Sequence, residues 1–220
     1  MFAYLKVSRP AMLALAIALV GCAGTPPVRY ASIDSSSQLK PNTDDQSDRI
    51  PYRYTTPVEW KKYTNIIIEP VVIYQGADNQ FGEVSQEDRK ALADYMHSKF
   101  SEALRPRFRE VSSPAPDALR LKLTLTGAET TTPVVGTFTK FDLAGGPYNI
   151  VQSIRGKEGM LNGSVSYAVE VYDASTQRLL NAYVARQYPN AMNVGASIGS
   201  LSAAEVGIDK AAEELAGILK

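Results

Sequence analysis

The chain has one cysteine, one histidine and one tryptophan among 220 residues. A single cysteine excludes an intramolecular disulfide, a CxxC redox pair and a thiolate zinc cage. A metal site would have to combine carboxylates with the one imidazole, His97, and no such spacing occurs. No GxSxG elbow, HExxH pair or GxxxxGK[ST] loop is present. Net charge is also lacking, with 23 basic residues against 23 acidic. Without a basic excess or a Lys/Arg stripe, nucleic-acid binding is not expected. No cofactor is expected. No apolar run approaches the roughly 20 residues that span a bilayer.

What is present begins at the amino terminus. Lys6 and Arg9 precede an uninterrupted apolar run over residues 11–20. That is the pattern of a secretory signal peptide, which is excluded from fold reasoning. Leu19, Val20 and Gly21 then lead into the lone Cys22. This stretch resembles a bacterial lipobox. The resemblance implies recognition of Leu19, Val20 and Gly21 by lipoprotein signal peptidase, a diacylglyceryl thioether on Cys22, and cleavage before it. It also implies acylation of the new α-amine. Ala23 rather than Asp after the cysteine implies sorting to the outer membrane, facing the periplasm. The alternative is an ordinary signal peptide cut near Ala23. Removing residues 1–21 takes two basic residues and no acid, which leaves a net charge of −2.

Residues 22–50 are rich in Ser, Pro, Asp, Asn and Thr and show no hydrophobic period. Such a composition buries too little apolar surface to offset ordering entropy. The segment reads as a flexible tether with a reach of about 30 Å. The other reading is a partly ordered arm lying on the domain. Within residues 52–64, Trp60 is expected to pack.

Residues 51–220 read as one α/β domain. "NIIIEPVVIY" (65–74) is a β-branched strand in which Pro70 requires a bulge or an edge. "SQEDRKALADYMHSKFSEAL" follows, with Ser85 and Asp88 as a capping-box variant. Leu92, Tyr95, Met96, Phe100, Ala103 and Leu104 form one apolar face of that helix. "FREV" (108–111) is a short strand. "LRLKLTLT" (119–126) alternates strictly, as a strand with one wet face. "LNGSVSYAVEVYD" (161–173) and "LLNAYVARQY" (179–188), joined by a polar turn, predict a hairpin. A last helix opens at Ser202, with Glu205 completing a capping box, and carries Gly207 and Gly217. The order is β-α-β-β-insert-β-β-α. It predicts an α+β, two-layer sandwich: a mixed, mostly antiparallel sheet with two helices on one face.

The insert, residues 130–159, is too long for an ordinary loop and too apolar for disorder. It either supplies extra strands or presents Phe138, Phe141 and Tyr148 as a partner-docking patch. Among carboxylates, Glu69 lies inside the first strand, and Asp142, Glu158, Glu170 and Asp173 lie near strand ends or in loops. Glu69 or Asp142 would serve a hydrolase if a second acid faced it; the plainer reading of Glu69 is a strand residue paired with Lys/Arg or pointing to solvent. The "GASIGSLS" stretch (195–202) lacks a cation and reads as a turn rather than an anion loop.

The lipobox, the tether, "NIIIEPVVIY", "LRLKLTLT" and "GSVSYAVEVYDASTQRLL" together resemble a Gram-negative lipoprotein family catalogued as domain of unknown function 3313. The order of elements is also similar to small α/β domains of periplasmic accessory lipoproteins. The family carries no established activity to transfer; the lipobox, the tether and the missing catalytic set lead instead to the expectation of a lipid-anchored, non-enzymatic module that engages a protein partner of the cell envelope. A carboxylate hydrolase and a binder of a small apolar ligand are the alternatives.

Overall fold

The computed structural model describes residues 26–45, 47–130, 163–189 and 199–220. Eight strands and two α-helices are seen among them. The strands are β1 (Lys40–Pro41), β2 (Tyr52–Thr55), β3 (Asn65–Ile68), β4 (Val72–Ile73), β5 (Arg109–Glu110), β6 (Ala118–Glu129), β7 (Ser164–Asp173) and β8 (Leu179–Gln187). The helices are α1 (Gln86–Leu104) and α2 (Ser202–Ile218). They form one open mixed sheet ordered β1-β2-β8-β7-β6-β3-β5, with β4 also on β6. Strands β3 and β4 run parallel to β6, whereas β6, β7, β8 and β2 pair antiparallel. The α+β architecture is the expected one.

The expected first strand is broken in two. β3 and β4 lie end to end along β6, interrupted at residues 69–71. Pro70 has no N–H to give a ladder, so pairing fails there and resumes at Val72. β2 was not foreseen: "YRYT" is too short for its alternation to stand out, yet it pairs with β8 from Tyr52 opposite Val184 to Thr55 opposite Asn181. Both sheet margins are two-residue strands carrying charge or proline, Lys40–Pro41 and Arg109–Glu110. Such margins discourage uncontrolled edge pairing.

One face of the sheet holds the main core. Leu119, Leu121, Leu123 and Leu125 of β6 lie beside Val165, Tyr167, Val169 and Val171 of β7, under both helices. Helix α1 contributes Leu92, Met96, Phe100 and Leu104; α2 contributes Ala204, Ile208, Ala211 and Leu215. Phe100 and Tyr183 each meet the Tyr167 ring edge-on, with centroids 6.4 Å apart. The amino-terminal cap of α1 is as read: Ser85 Oγ accepts from the Asp88 N–H at 3.0 Å. The cap of α2 is not. Leu201 is its N-cap and makes no side-chain hydrogen bond, so Ser202 is already inside the helix. The predicted Ser202–Glu205 capping box is therefore wrong by one position.

The opposite face corrects two expectations. The segment beginning at Pro26 is no free tether. Tyr30, Ile33 and Leu39 are buried against Tyr74, Ala168, Tyr172, Leu179, Ala182 and Val184. The alternative, an arm lying on the domain, describes residues 26–45. Nor is that face wet. Thr124, Thr126, Ser166 and Glu170 are buried, whereas Arg120 and Lys122 of β6 retain partial exposure and Glu129 at its end is exposed. The alternation of β6 is real, but the arm supplies cover that periodicity cannot reveal.

Candidate functional site

Three places bring chemistry-bearing side chains together. The first is the flank of β3. β5 pairs only with Asn65 and Ile66, so the strand beyond them opens onto a groove of ≈ 980 Å³. Ile67, Ile68, Glu69, Glu110, Val111 and Ser112 line it. Glu69 is still in register beside β6, its N–H donating to Leu121 O at 3.0 Å, and its Oε1 accepts from Arg120 Nη1 at 3.0 Å. The Arg120 guanidinium also lies over the Tyr172 ring at 4.5 Å. Glu110, the other acid of the groove, accepts from the Ser101 hydroxyl at 2.8 Å. Both carboxylates are thus occupied by the fold.

The second place lies beneath the arm. Glu170 is fully buried in β7, and its Oε1 accepts from Ser35 N–H at 2.6 Å and from Tyr172 O–H at 3.3 Å. Burial and the neighbouring Glu170 push the Tyr172 phenol far up. Lys122 pairs with Asp34 of the arm. The Tyr30 phenol donates to Gln80 Oε1 at 2.6 Å, and burial raises it to about 12. Ala31 N–H donates to Asp78 at 3.0 Å, and Ser32 N–H to the Tyr74 hydroxyl at 3.1 Å. Tyr74 donates in turn to Asp78 at 2.7 Å. That bond, over the opposing effect of burial and with help from Ala31 N–H, holds the Asp78 carboxyl below its usual value. These contacts fasten the arm; they do not form an open site.

The third is the turn after β7. Asp173 is buried and accepts from Tyr63 O–H at 2.8 Å, Ser175 Oγ at 2.7 Å and Thr176 N–H at 2.9 Å. Burial would raise its carboxyl, but these donors outweigh it and hold the group well below the usual range. An acid so committed closes a turn rather than transferring protons.

Of the remaining sequence candidates, His97 is half-buried on α1. Leu19, Val20, Gly21, Cys22, Phe138, Phe141, Tyr148, Asp142 and Glu158 lie outside the described residues, as does the bulk of the 130–159 insert. So do residues 195–198 of the turn before α2; Gly199 onward leads directly into the helix. Among the described residues no group of three His, Cys, Asp or Glu could hold a metal ion. No helix among them is long and apolar enough to cross a membrane. The residues missed by the sequence reading are those of the arm, Tyr30, Ile33, Ser35 and Leu39. Their spacing follows no helix or strand period, so only their aromatic and aliphatic character marks them.

The fold and its paired acids define an α+β domain built around a mixed sheet and an amino-terminal clasp. The chain belongs to the family described as Protein of unknown function (DUF3313), which it matches over residues 29–215. Among solved structures it is similar to the PelC dodecamer from Paraburkholderia phytofirmans. That likeness has 10% identity and a TM-score of 0.39, and covers 74% of this chain and 94% of that one. It is also similar to protein XCC0632 from Xanthomonas campestris, of family DUF330, at 9% identity and a TM-score of 0.36. Here 74% of this chain and 88% of that one are covered. No curated protein sequence matches the chain.

Proposed function

We propose that the protein is a lipid-anchored, non-enzymatic module of the bacterial cell envelope. It is held through Cys22 in the outer membrane facing the periplasm, and it engages an extended segment of an envelope protein partner. The observation that carries partner binding is the uncovered flank of β3. Strand addition requires unpaired backbone beside side-chain pockets. There, Ile67 and Ile68 continue a strand whose neighbour β5 has already ended, and the groove beside them is open. The pairing of Glu69 with Arg120, and of Glu110 with Ser101, argues against the carboxylate-hydrolase alternative.

A photo-crosslinking residue placed at Ile67 in intact cells tests this reading. It is expected to trap a defined partner that the same residue at exposed Lys90 on α1 does not trap. Identical adducts from both positions would sink the assignment of this edge. The anchor is tested separately with a palmitate analogue, whose incorporation is expected in the natural chain and lost in Cys22→Ala.

A further inference from the structure

The docked arm changes where the anchored domain must sit. Pro26 is fixed to the fold, its carbonyl accepting from Gln80 Nε2 at 2.9 Å, and Tyr30 four residues on is buried. Only residues 23–25 separate Pro26 from Cys22. Fully extended, that path covers about 14 Å. Diacylation places Cys22 at the membrane interface, because each buried CH₂ contributes about 0.8 kcal/mol toward holding the chains in hydrocarbon. The headgroup layer itself is roughly 5–7 Å deep on each side. The domain therefore has no room for the stand-off of about 30 Å that a free tether would give.

The exit point also lies at one end of the sheet. The Gln80 backbone is bonded to the last part of β6, donating to Thr126 O at 2.9 Å and accepting from Ala128 N–H at 3.2 Å. Gly127 permits this approach: a Cβ there would lie 2.6 Å from Gln80 O. Gln80 bridges β6 at Gly127, and the other end of that strand, Ala118 beside the Asp173 turn, is about 30 Å away. Val28, one of two large apolar side chains exposed among the described residues, lies on the same short stretch.

We infer that the anchored domain rests end-on against the bilayer that holds Cys22. The end bearing Gln80, residues 81–83 and Glu129 meets the lipid headgroups, and the turn from Asp173 to Arg178 points away. This inference rests on the lipid-anchor reading above. It makes the arm a rigid orienting strut, so that the β3 flank is presented at a set height above the membrane.

Full-length lipidated protein in phosphatidylethanolamine/phosphatidylglycerol vesicles tests it. Glu83→Cys and Arg178→Cys are labelled separately with a fluorophore at exposed positions, and a quencher is carried on lipid headgroups. Several-fold stronger quenching at position 83 than at 178 is expected. Inserting about 20 Gly/Ser residues between Ala23 and Gly24, a reach of about 25 Å, should erase that difference. Equal quenching at the two positions, in protein that floats with the vesicles, would overturn the orientation and leave the anchor intact. Protein that does not float would remove the anchor and the orientation together.

Discussion

At the scale of single residues, two glycines of one helix carry opposite predictions. Gly207 of α2 faces the sheet, and a Cβ there would lie 2.8 Å from Val165 Cγ1 and 3.0 Å from Gln187 O. Gly217 meets nothing within 4 Å. Alanine in place of glycine in a helix gains up to about 1 kcal/mol from propensity. Gly217→Ala is therefore expected to stabilise by about that amount. At Gly207, overpacking against backbone costs about 1–3 kcal/mol, so Gly207→Ala is expected to destabilise. Urea denaturation of both variants checks the pair, and a stabilising Gly207→Ala would contradict the close contact. Asp173 carries a second residue-scale prediction. Its folded carboxyl is depressed, so its contribution is fully present above the ordinary value of 3.8 and is lost as pH falls through the folded value. Asp173→Ala removes an acceptor serving three side-chain hydroxyls and is expected to cost about 2–3 kcal/mol near neutral pH. The difference from the natural protein should shrink as the pH is lowered from about 5 toward about 2.

At the scale of elements, the arm is the piece whose energetics were least legible. Helices α1 and α2 and strands β6 to β8 announce themselves through periods of 3.6 and 2, because each buries a continuous apolar face. The arm has no period; Tyr30, Ile33 and Leu39 each fill a separate place on a face already laid down by β7 and β8. Tyr30 even adopts a left-handed backbone with φ 50, a strained conformation for a tyrosine that persists where surrounding contacts fix it. Those contacts are the Tyr74 ring, met edge-on at 5.3 Å, and the Gln80 side chain. The site residues divide in the same way. A cation partner for Glu69 is one of two plain readings of a lone acid in a β-branched run, but that the partner is Arg120 follows from the register of β3 on β6, a matter of tertiary pairing. Glu170 alternates into the face read as solvent, and only the arm makes it a buried acid. Tyr30→Ala is expected to cost about 3–5 kcal/mol, as for other large aromatic truncations. Glu170→Ala strands the buried Ser35 N–H and is expected to cost about 1–3 kcal/mol. Hydrogen exchange at Ala31, Ser32 and Ser35 should accelerate in both variants, while exchange in α1 stays slow. Unchanged protection at those three amides would mean that neither residue fastens the arm.

At the scale of the whole molecule, the arm decides what the smallest intact unit is. Composition alone would place the domain boundary near residue 50, because Ser, Pro and Asp dominate up to there. The burial of Tyr30, Ile33 and Leu39 moves that boundary to about Pro26, and the family match, which starts at residue 29, moves it the same way. A chain beginning at Pro51 would uncover Ala168, Tyr172, Leu179, Ala182 and Val184 together. It would also leave Glu170 and Lys122 without Ser35 and Asp34. A contiguous apolar patch of that kind on a monomer favours association. A chain beginning at Gly24 keeps the arm and removes Cys22, the site of the proposed anchor. The two truncations therefore separate the roles that a flexible tether would merge. The Gly24 form is expected to unfold at the same urea concentration as the chain beginning at Cys22 and to keep the same oligomeric state by analytical ultracentrifugation. The Pro51 form is expected to unfold at lower urea, to bind a hydrophobic dye and to self-associate. If it instead matched the Gly24 form in all three measurements, the arm would be dispensable, and the proposed end-on placement would lose its basis.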